Sequence, residues 1–368
     1  MQKVLHFLII VLVALLIVTV FAVMVVPRER VSVPHIQAGA GLESPLVATH
    51  TFPFEQATVT IVVPVEAAVY DGAKHTDKSV TVYGNVSERI WIADTYRAMI
   101  NDSAQDGFFS GLTEEFLRMQ RDEGFTDDET LELMMVYVQS LRYVTSPENP
   151  AKYPVETVVE GAGDCDDKSL LLAGLLSRAG YKVALLSFGQ EAHMAIGIGA
   201  DGADYKQTGY AFIETTNLSF VGVPPDTLQG GVTLRSDPFV IPVGAGTKVY
   251  QSGKETVYIH DMYERSDAKA EELMNQIRPL QADLDARQAQ IADLESQMEV
   301  LRSAGNVAGY NARVSEHNGV VAGYNARLAT YRDLTSRYDE YAQVHNYILG
   351  HWYDRKGVYE YVRTHMPV

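Results

Sequence analysis

The 368-residue chain has a single cysteine, Cys165, so no intrachain disulfide can form. It is also poor in basic residues: 30 Lys and Arg against 47 Asp and Glu leave a formal net charge of −17. With no basic stripe to neutralise phosphates, the composition argues against a nucleic-acid partner and against close association with an anionic lipid surface. Long apolar runs are missing except at the start, where Val4–Val26 holds 23 positions with no charged residue but a titratable His6. As a helix this run reaches about 34 Å, enough to cross a hydrocarbon core of about 30 Å. No small-residue cleavage site closes it, so residues 1–30 read as a retained transmembrane signal anchor.

Behind the anchor, 46% hydrophobic and 21% charged residues suit one sizeable core and an accessory module. Pro27–Ala48 is punctuated by Pro and Gly and reads as a linker, Thr51–Val65 alternates like a β-hairpin, and Ser87–Met119 reads as helical. Leu218–Val249, rich in Gly, Pro and Val, reads as loops and short strands.

Cys165 stands in Gly163-Asp164-Cys165-Asp166-Asp167, ahead of a helical run through Leu170, Leu171, Leu172, Leu175 and Leu176 that closes at Arg178-Ala179-Gly180. The thiol is therefore expected at a helix N-terminus, where backbone N–H groups and the dipole favour a thiolate. Strands are predicted over Tyr181–Phe188, Ala192–Gly199 and Gly209–Thr215. A hairpin centred on Ala200–Thr208 sets His193 opposite Glu214 on one sheet face, and Ala195 and Gly197 leave room there for the cysteine helix. In this arrangement Cys165 is the candidate nucleophile, His193 the candidate base and acid, and Glu214 the group that orients the imidazole. Gln139, on a helix opened by the capping box Thr126-Asp127-Asp128-Glu129, is a candidate oxyanion donor. Taken singly, a lone cysteine is most simply a buried hydrophobe and a strand histidine a core residue. It is their order and parity that point to thiol chemistry. Asp164, Asp166 and Asp167 suit the helix cap and dipole, but carboxylates beside a thiol oppose ionisation, so activation must lean on His193.

Tyr153-Pro154-Val155-Glu156-Thr157, Gly163-Asp164-Cys165-Asp166-Asp167, Glu191-Ala192-His193-Met194-Ala195 and Ile213-Glu214-Thr215-Thr216 resemble the transglutaminase-like cysteine-enzyme superfamily, most of all its membrane-anchored archaeal and bacterial members. The resemblance covers roughly Val80–Asn217. It implies an α+β fold with a papain/transglutaminase-like core, in which a helix carrying the cysteine packs on an antiparallel sheet carrying the histidine and the acid. Cys165 and His193 match the family's catalytic positions; Glu214 stands where the family more often has aspartate, one methylene shorter. It also implies that the bulk of the chain lies outside the cytoplasm of a single-pass membrane protein. The charges flanking the anchor, Lys3 and the amino terminus against Arg28 and Arg30, balance and do not set the orientation. The triplets Asn85-Val86-Ser87, Asn101-Asp102-Ser103 and Asn217-Leu218-Ser219 are compatible with an outside location.

The C-terminal third carries a heptad seam. Val307, Tyr310, Val314, His317, Val321, Tyr324, Leu328, Tyr331, Thr335, Tyr338, Ala342, His345 and Leu349 alternate in steps of three and four. An upstream arm keeps the same spacing from Leu273 through Ile277, Leu280, Leu284, Arg287, Ile291, Leu294 and Met298 to Leu301, and Ser303-Ala304-Gly305-Asn306 can turn the chain. The pattern predicts an antiparallel helical hairpin, kinked at Pro279, whose tyrosine-rich second seam packs on a third surface. His317 and His345 are too far apart along the seam to share a metal, and neither a metal nor a cofactor is expected.

The expected domains are the anchor (1–30), a linker with β-hairpin (31–80), a transglutaminase-like domain (81–255), a coiled-coil hairpin (256–350) and a tail (351–368). Two function classes follow. One is a membrane-tethered thiol enzyme acting on a protein or peptide substrate, with hydrolysis favoured over crosslinking. The other is a non-catalytic envelope assembly protein that binds a partner, or itself, through the coiled coil.

Overall fold

The computed structural model describes residues 12, 30–39, 44–145, 150–228 and 231–367. The predicted anchor over Val4–Val26 lies outside the described residues apart from Leu12. Among the described residues no helix is long and apolar enough to cross a membrane. The chain divides into two compact units, one of Thr58–Gln251 with the described residues before Glu55, the other of Glu55–Ala57 with the residues from Ser252 onward.

The first unit mixes helices with small sheets. Strand β1 (Arg30–Ser32) pairs antiparallel with β4 (Thr81–Tyr83). Strands β2 (Leu46–Phe54) and β3 (Ala57–Val65) form the predicted hairpin, longer at its first strand than the sequence suggested. In β3 the inward Val59, Ile61, Val63 and Val65 alternate with exposed residues, as a half-buried strand requires. This hairpin is no separate linker module: Phe52 and His50 stack edge-on or tilted against Tyr137, with ring centroids 5.7 Å away in both cases. Helix α1 (Ala67–His75) follows, and the predicted long helix after Ser87 is broken into α2 (Glu88–Ile100) and α3 (Asp106–Glu123). The break falls at Asp102, whose side chain accepts the N–H of nearby Ala104 and that of distant Ile36 and so competes with helical bonding.

Helix α4 (Asp127–Ser140) opens with the predicted capping box, both of its reciprocal bonds formed by Thr126 and Glu129. Strand β5 (Arg142–Tyr143), helix α5 (Pro154–Glu160) and strand β6 (Ala162–Gly163) lead into α6 (Cys165–Arg178). Helix α6 is buried on nearly every side: Leu170, Leu171, Leu172, Leu175 and Leu176 are each fully enclosed, worth roughly 1.5–3 kcal/mol apiece. It packs between α4 and α5 and a four-stranded antiparallel sheet. That sheet has the order β10 (Phe239–Val243), β7 (Val183–Phe188), β8 (His193–Ile198), β9 (Ala211–Ile213). Gly174 lets the Phe109 ring lie against the helix; a Cβ there would sit 2.3 Å from the ring.

The second unit is dominated by the helical hairpin. Helix α7 (Gly253–Ser303) begins earlier than the seam suggested and continues through Pro279, and α8 (Val307–Gly350) returns antiparallel to it. The turn is at Ala304-Gly305-Asn306, with Gly305 at φ +70° and Asn306 capping the N–H of Gly309. The predicted tail is instead helix α9 (Arg355–His365), whose Val358 and Val362 are fully buried against the base of the hairpin.

Candidate active site

Cys165 is the first residue of α6. Asp164 caps the helix by accepting the Asp167 N–H, while the Asp167 carboxylate accepts the N–H of Asp164, both at 3.2 Å. Gly163 is required just before this turn, since a Cβ there would meet that of Asp167 at 2.6 Å. The thiol is buried, with its sulfur 4.0 Å from the carbonyl oxygen of Ala192 and 3.5 Å from Asp166 Oδ1.

His193 opens β8 after a tight reversal in which Ala192 takes φ +48°. Glu191 ties this turn down by accepting the N–H groups of Arg235 and Ser236 and the Ser236 hydroxyl. His193 Nε2 lies 3.0 Å from Glu214 Oε2, and both residues are buried. The other carboxylate oxygen of Glu214 accepts from Thr215 N at 3.0 Å, Thr216 N at 2.7 Å and Thr216 Oγ1 at 2.6 Å. Burial alone would push the Glu214 carboxyl up; the hydrogen bond and charge of His193, together with Thr216, hold it below the usual carboxylate range. An ionised Glu214 needs a proton on His193 Nε2, which leaves Nδ1 with the lone pair a base requires.

The register between β8 and β9 differs from the predicted one by two residues. Ile196 faces Ile213 and Gly197 faces Phe212, so the ladder extended brings Ala195, not His193, level with Glu214. A slip of two preserves the face, and the glutamate, one methylene longer than aspartate, reaches the imidazole diagonally. The small residues of that face serve a different purpose from the one expected. Ala195 clusters with Leu186, Phe188 and Phe212 under Tyr205, Leu234 and Val240, and Gly197 accommodates Tyr210.

Cys165 and His193 line one cleft of about 370 Å³, together with Tyr96, Tyr143, Ser187 and Phe188. The structure does not bring Gln139 to this cleft. Its amide nitrogen donates to the backbone carbonyls of Glu214 (2.8 Å) and Ser219 (3.1 Å), so both hydrogens are used in holding the segment that carries the acid.

The electrostatics at the sulfur are unfavourable to a resting thiolate. Burial pushes the Cys165 thiol well up and the Asp166 and Asp164 carboxylates push the same way, against a backbone hydrogen bond from Met194. Asp166 is half-buried and its carboxyl is shifted up, chiefly by desolvation, with Tyr96 donating to its other oxygen at 3.0 Å. Asp167 is pushed up to about 6, chiefly by burial.

Lys168 escaped the sequence reading. Its side chain is fully buried, and Nζ donates to the carbonyls of Gln139 (3.1 Å) and Leu141 (2.9 Å) at the end of α4. Burial lowers it to about 8, against the field of Glu214. The signal was available, because Lys168 precedes Leu171 and Leu172 by three and four residues and so shares their buried stripe. Ser169 adds a second tie, donating to Met194 O and meeting Thr215 Oγ1, each at 3.2 Å, so that α6, β8 and the Glu214 segment are cross-linked.

Among the described residues no cluster of His, Cys, Asp and Glu could hold a metal ion. His317 and His345 are each near a single carboxylate, Glu295 and Asp267 respectively. Comparison with protein-family models, curated proteins and solved structures finds no match to this chain.

Proposed function

We propose that this chain is a transglutaminase-like thiol enzyme that forms an acyl-enzyme on Cys165 from a peptide or amide carbonyl. The observation that carries the reading is the buried His193–Glu214 pair, its carboxylate fixed by further donors, opening onto the same cleft as a thiol at a helix N-terminus. Such a pair has little purpose in a core, where two apolar residues would be cheaper to bury. A papain-like arrangement is the finer fold reading that goes with it, supported by the packing of the cysteine helix on an antiparallel sheet.

The chemistry follows from the charges. Because the thiol is pushed up, it is protonated at rest, and His193 Nδ1 removes its proton as the sulfur attacks the carbonyl carbon. The resulting oxyanion faces the N-terminal N–H groups of α6. The C–N bond then breaks, His193 protonates the leaving amine, and a thioester remains. Water, deprotonated by His193, attacks the thioester and the thiol leaves with its proton restored. An amine in place of water would give crosslinking; hydrolysis is preferred as the simpler reading. The apolar run Val4–Val26 supports a membrane tether, and the family resemblance supports a cleft outside the cytoplasm.

The test is acid-quenched intact-mass analysis after mixing with a blocked peptide p-nitrophenyl ester. An acyl adduct on Cys165 that is absent in His193→Ala and decays in water supports the reading; no adduct in the native protein would sink it. One observation favours the alternative of a non-catalytic assembly module: two carboxylates stand beside the thiol, an arrangement that opposes nucleophilicity.

A further inference from the structure

A second cleft, of about 520 Å³, adjoins the first, and Asp164 lines both. Between them runs β5 with the residues that follow it. Side chains alternate along this extended segment: Tyr143 and Thr145 line the cysteine cleft, Arg142 and Val144 the second cleft.

One edge of β5 is paired with β6, through Arg142 N to Gly161 O at 3.0 Å and Val144 N to Gly163 O at 3.1 Å. In a parallel ladder the intervening residue turns its N–H and C=O the other way. Those groups of Tyr143 have no partner among the described residues, and Tyr143 lines the cysteine cleft. A free donor and acceptor on one residue are what an extended peptide needs to add itself as a strand.

The charges of the second cleft select what such a peptide carries. Lys74 is held by Glu160 at 2.8 Å, Lys78 by Glu156 at 2.8 Å and Lys152 by Glu160 at 3.0 Å. Arg142, exposed, has no carboxylate partner among the described residues. Among the described residues of the cleft, the three lysines are thus paired with carboxylates and the Arg142 guanidinium, beside the β5 edge, is not.

We infer that the open edge of β5 is the docking strand for an extended peptide, paired through the main chain of Tyr143 and carrying an acidic side chain for Arg142. This deepens the thiol-enzyme reading and rests on it for what happens next. The residue opposite Tyr143 directs its side chain toward the cysteine cleft, and its immediate neighbour directs an Asp or Glu toward Arg142. The substrate class is therefore an acidic segment in extended conformation.

The experiment separates docking from chemistry. Fluorescein-labelled, blocked alanine hexapeptides with a single Asp, Asn or Lys are titrated by anisotropy against the full chain carrying Cys165→Ala, where no acyl-enzyme can form at that position. The Asp peptide is expected to bind about tenfold more tightly than the Lys peptide, as one charge-assisted contact allows, with the order reversed by Arg142→Glu. N-methylation of one residue flanking the aspartate should weaken binding about tenfold by removing a strand hydrogen bond, while N-methylation of the aspartate itself should not. Equal binding of all three peptides, or insensitivity to Arg142→Glu and to N-methylation, overturns the inference even if Cys165 forms an acyl adduct. Discrimination by Arg142 in a protein whose Cys165 never acylates would uphold the docking strand and overturn the enzyme.

Discussion

At Glu214 one carboxylate receives His193 Nε2, two backbone N–H groups and a threonine hydroxyl, and this convergence makes the residue an anion inside the protein. Glu214→Gln keeps the volume but breaks the tautomer logic. Acylation of Cys165 is expected to fall by about a hundredfold or more, measured by single-turnover mass analysis. Asp166 acts in the opposite sense, 3.5 Å from the sulfur. Asp166→Asn should lower the thiol pKa and raise alkylation at neutral pH by roughly threefold to tenfold; an unchanged rate would show that burial alone holds the thiol up. Lys168 gives a stability prediction with a defined sign. Its folded-state value of about 8 lies below the ordinary 10.5, so the unfolded chain binds the extra proton between those values and stability rises with pH across that window. The contribution is roughly 3 kcal/mol, penalising the fold most below pH 8. Urea titrations of Lys168→Met against the native chain should show this pH dependence disappear from the variant.

The elements differ in how plainly the sequence announces them. The upstream arm is legible residue by residue, for each position from Leu273 to Leu301 on its seam is buried or half-buried. The returning arm keeps the seam from Tyr310 to Tyr338, then drifts: Val344 and Ile348 are buried where His345 and Leu349 were expected, and Leu349 is 45% exposed. A straight helix has 3.6 residues per turn, so a heptad seam slides around it, and α9 adds a second apolar neighbour at the base that heptad counting could not foresee. Ile348→Ala is accordingly expected to cost about 2–5 kcal/mol and Leu349→Ala less than about 0.5 kcal/mol, measured by chemical denaturation. At the candidate site, strand parity placed His193 and Glu214 on one face although the register was off by two, because parity survives an even slip. Gln139 was misread for a plain reason: a helical period shows which face is inward, but not which acceptor an amide meets there. The breaking of the helix after Ser87 was equally invisible, since it depends on Asp102 bonding to Ile36, 66 residues away.

For the whole molecule, the described residues form two compact units; of the five segments the sequence suggested, the anchor lies outside the described residues. The β-hairpin and the final helix each merge into a larger core, and burial of Val358, in a segment read as a tail, was not foreseen from local pattern. The run Val4–Val26 predicts that the full chain stays with membranes through carbonate extraction and that removal of residues 1–30 releases it. The central claim is that His193 and Glu214 activate Cys165. It is tested most directly by the rate of Cys165 alkylation with iodoacetamide across pH in the native chain, His193→Ala and Glu214→Ala. The account requires reaction near neutral pH in the native protein, although the thiol itself is pushed well up, and its loss in both variants. Equal rates in all three, rising only at high pH as for an isolated buried thiol, would contradict it.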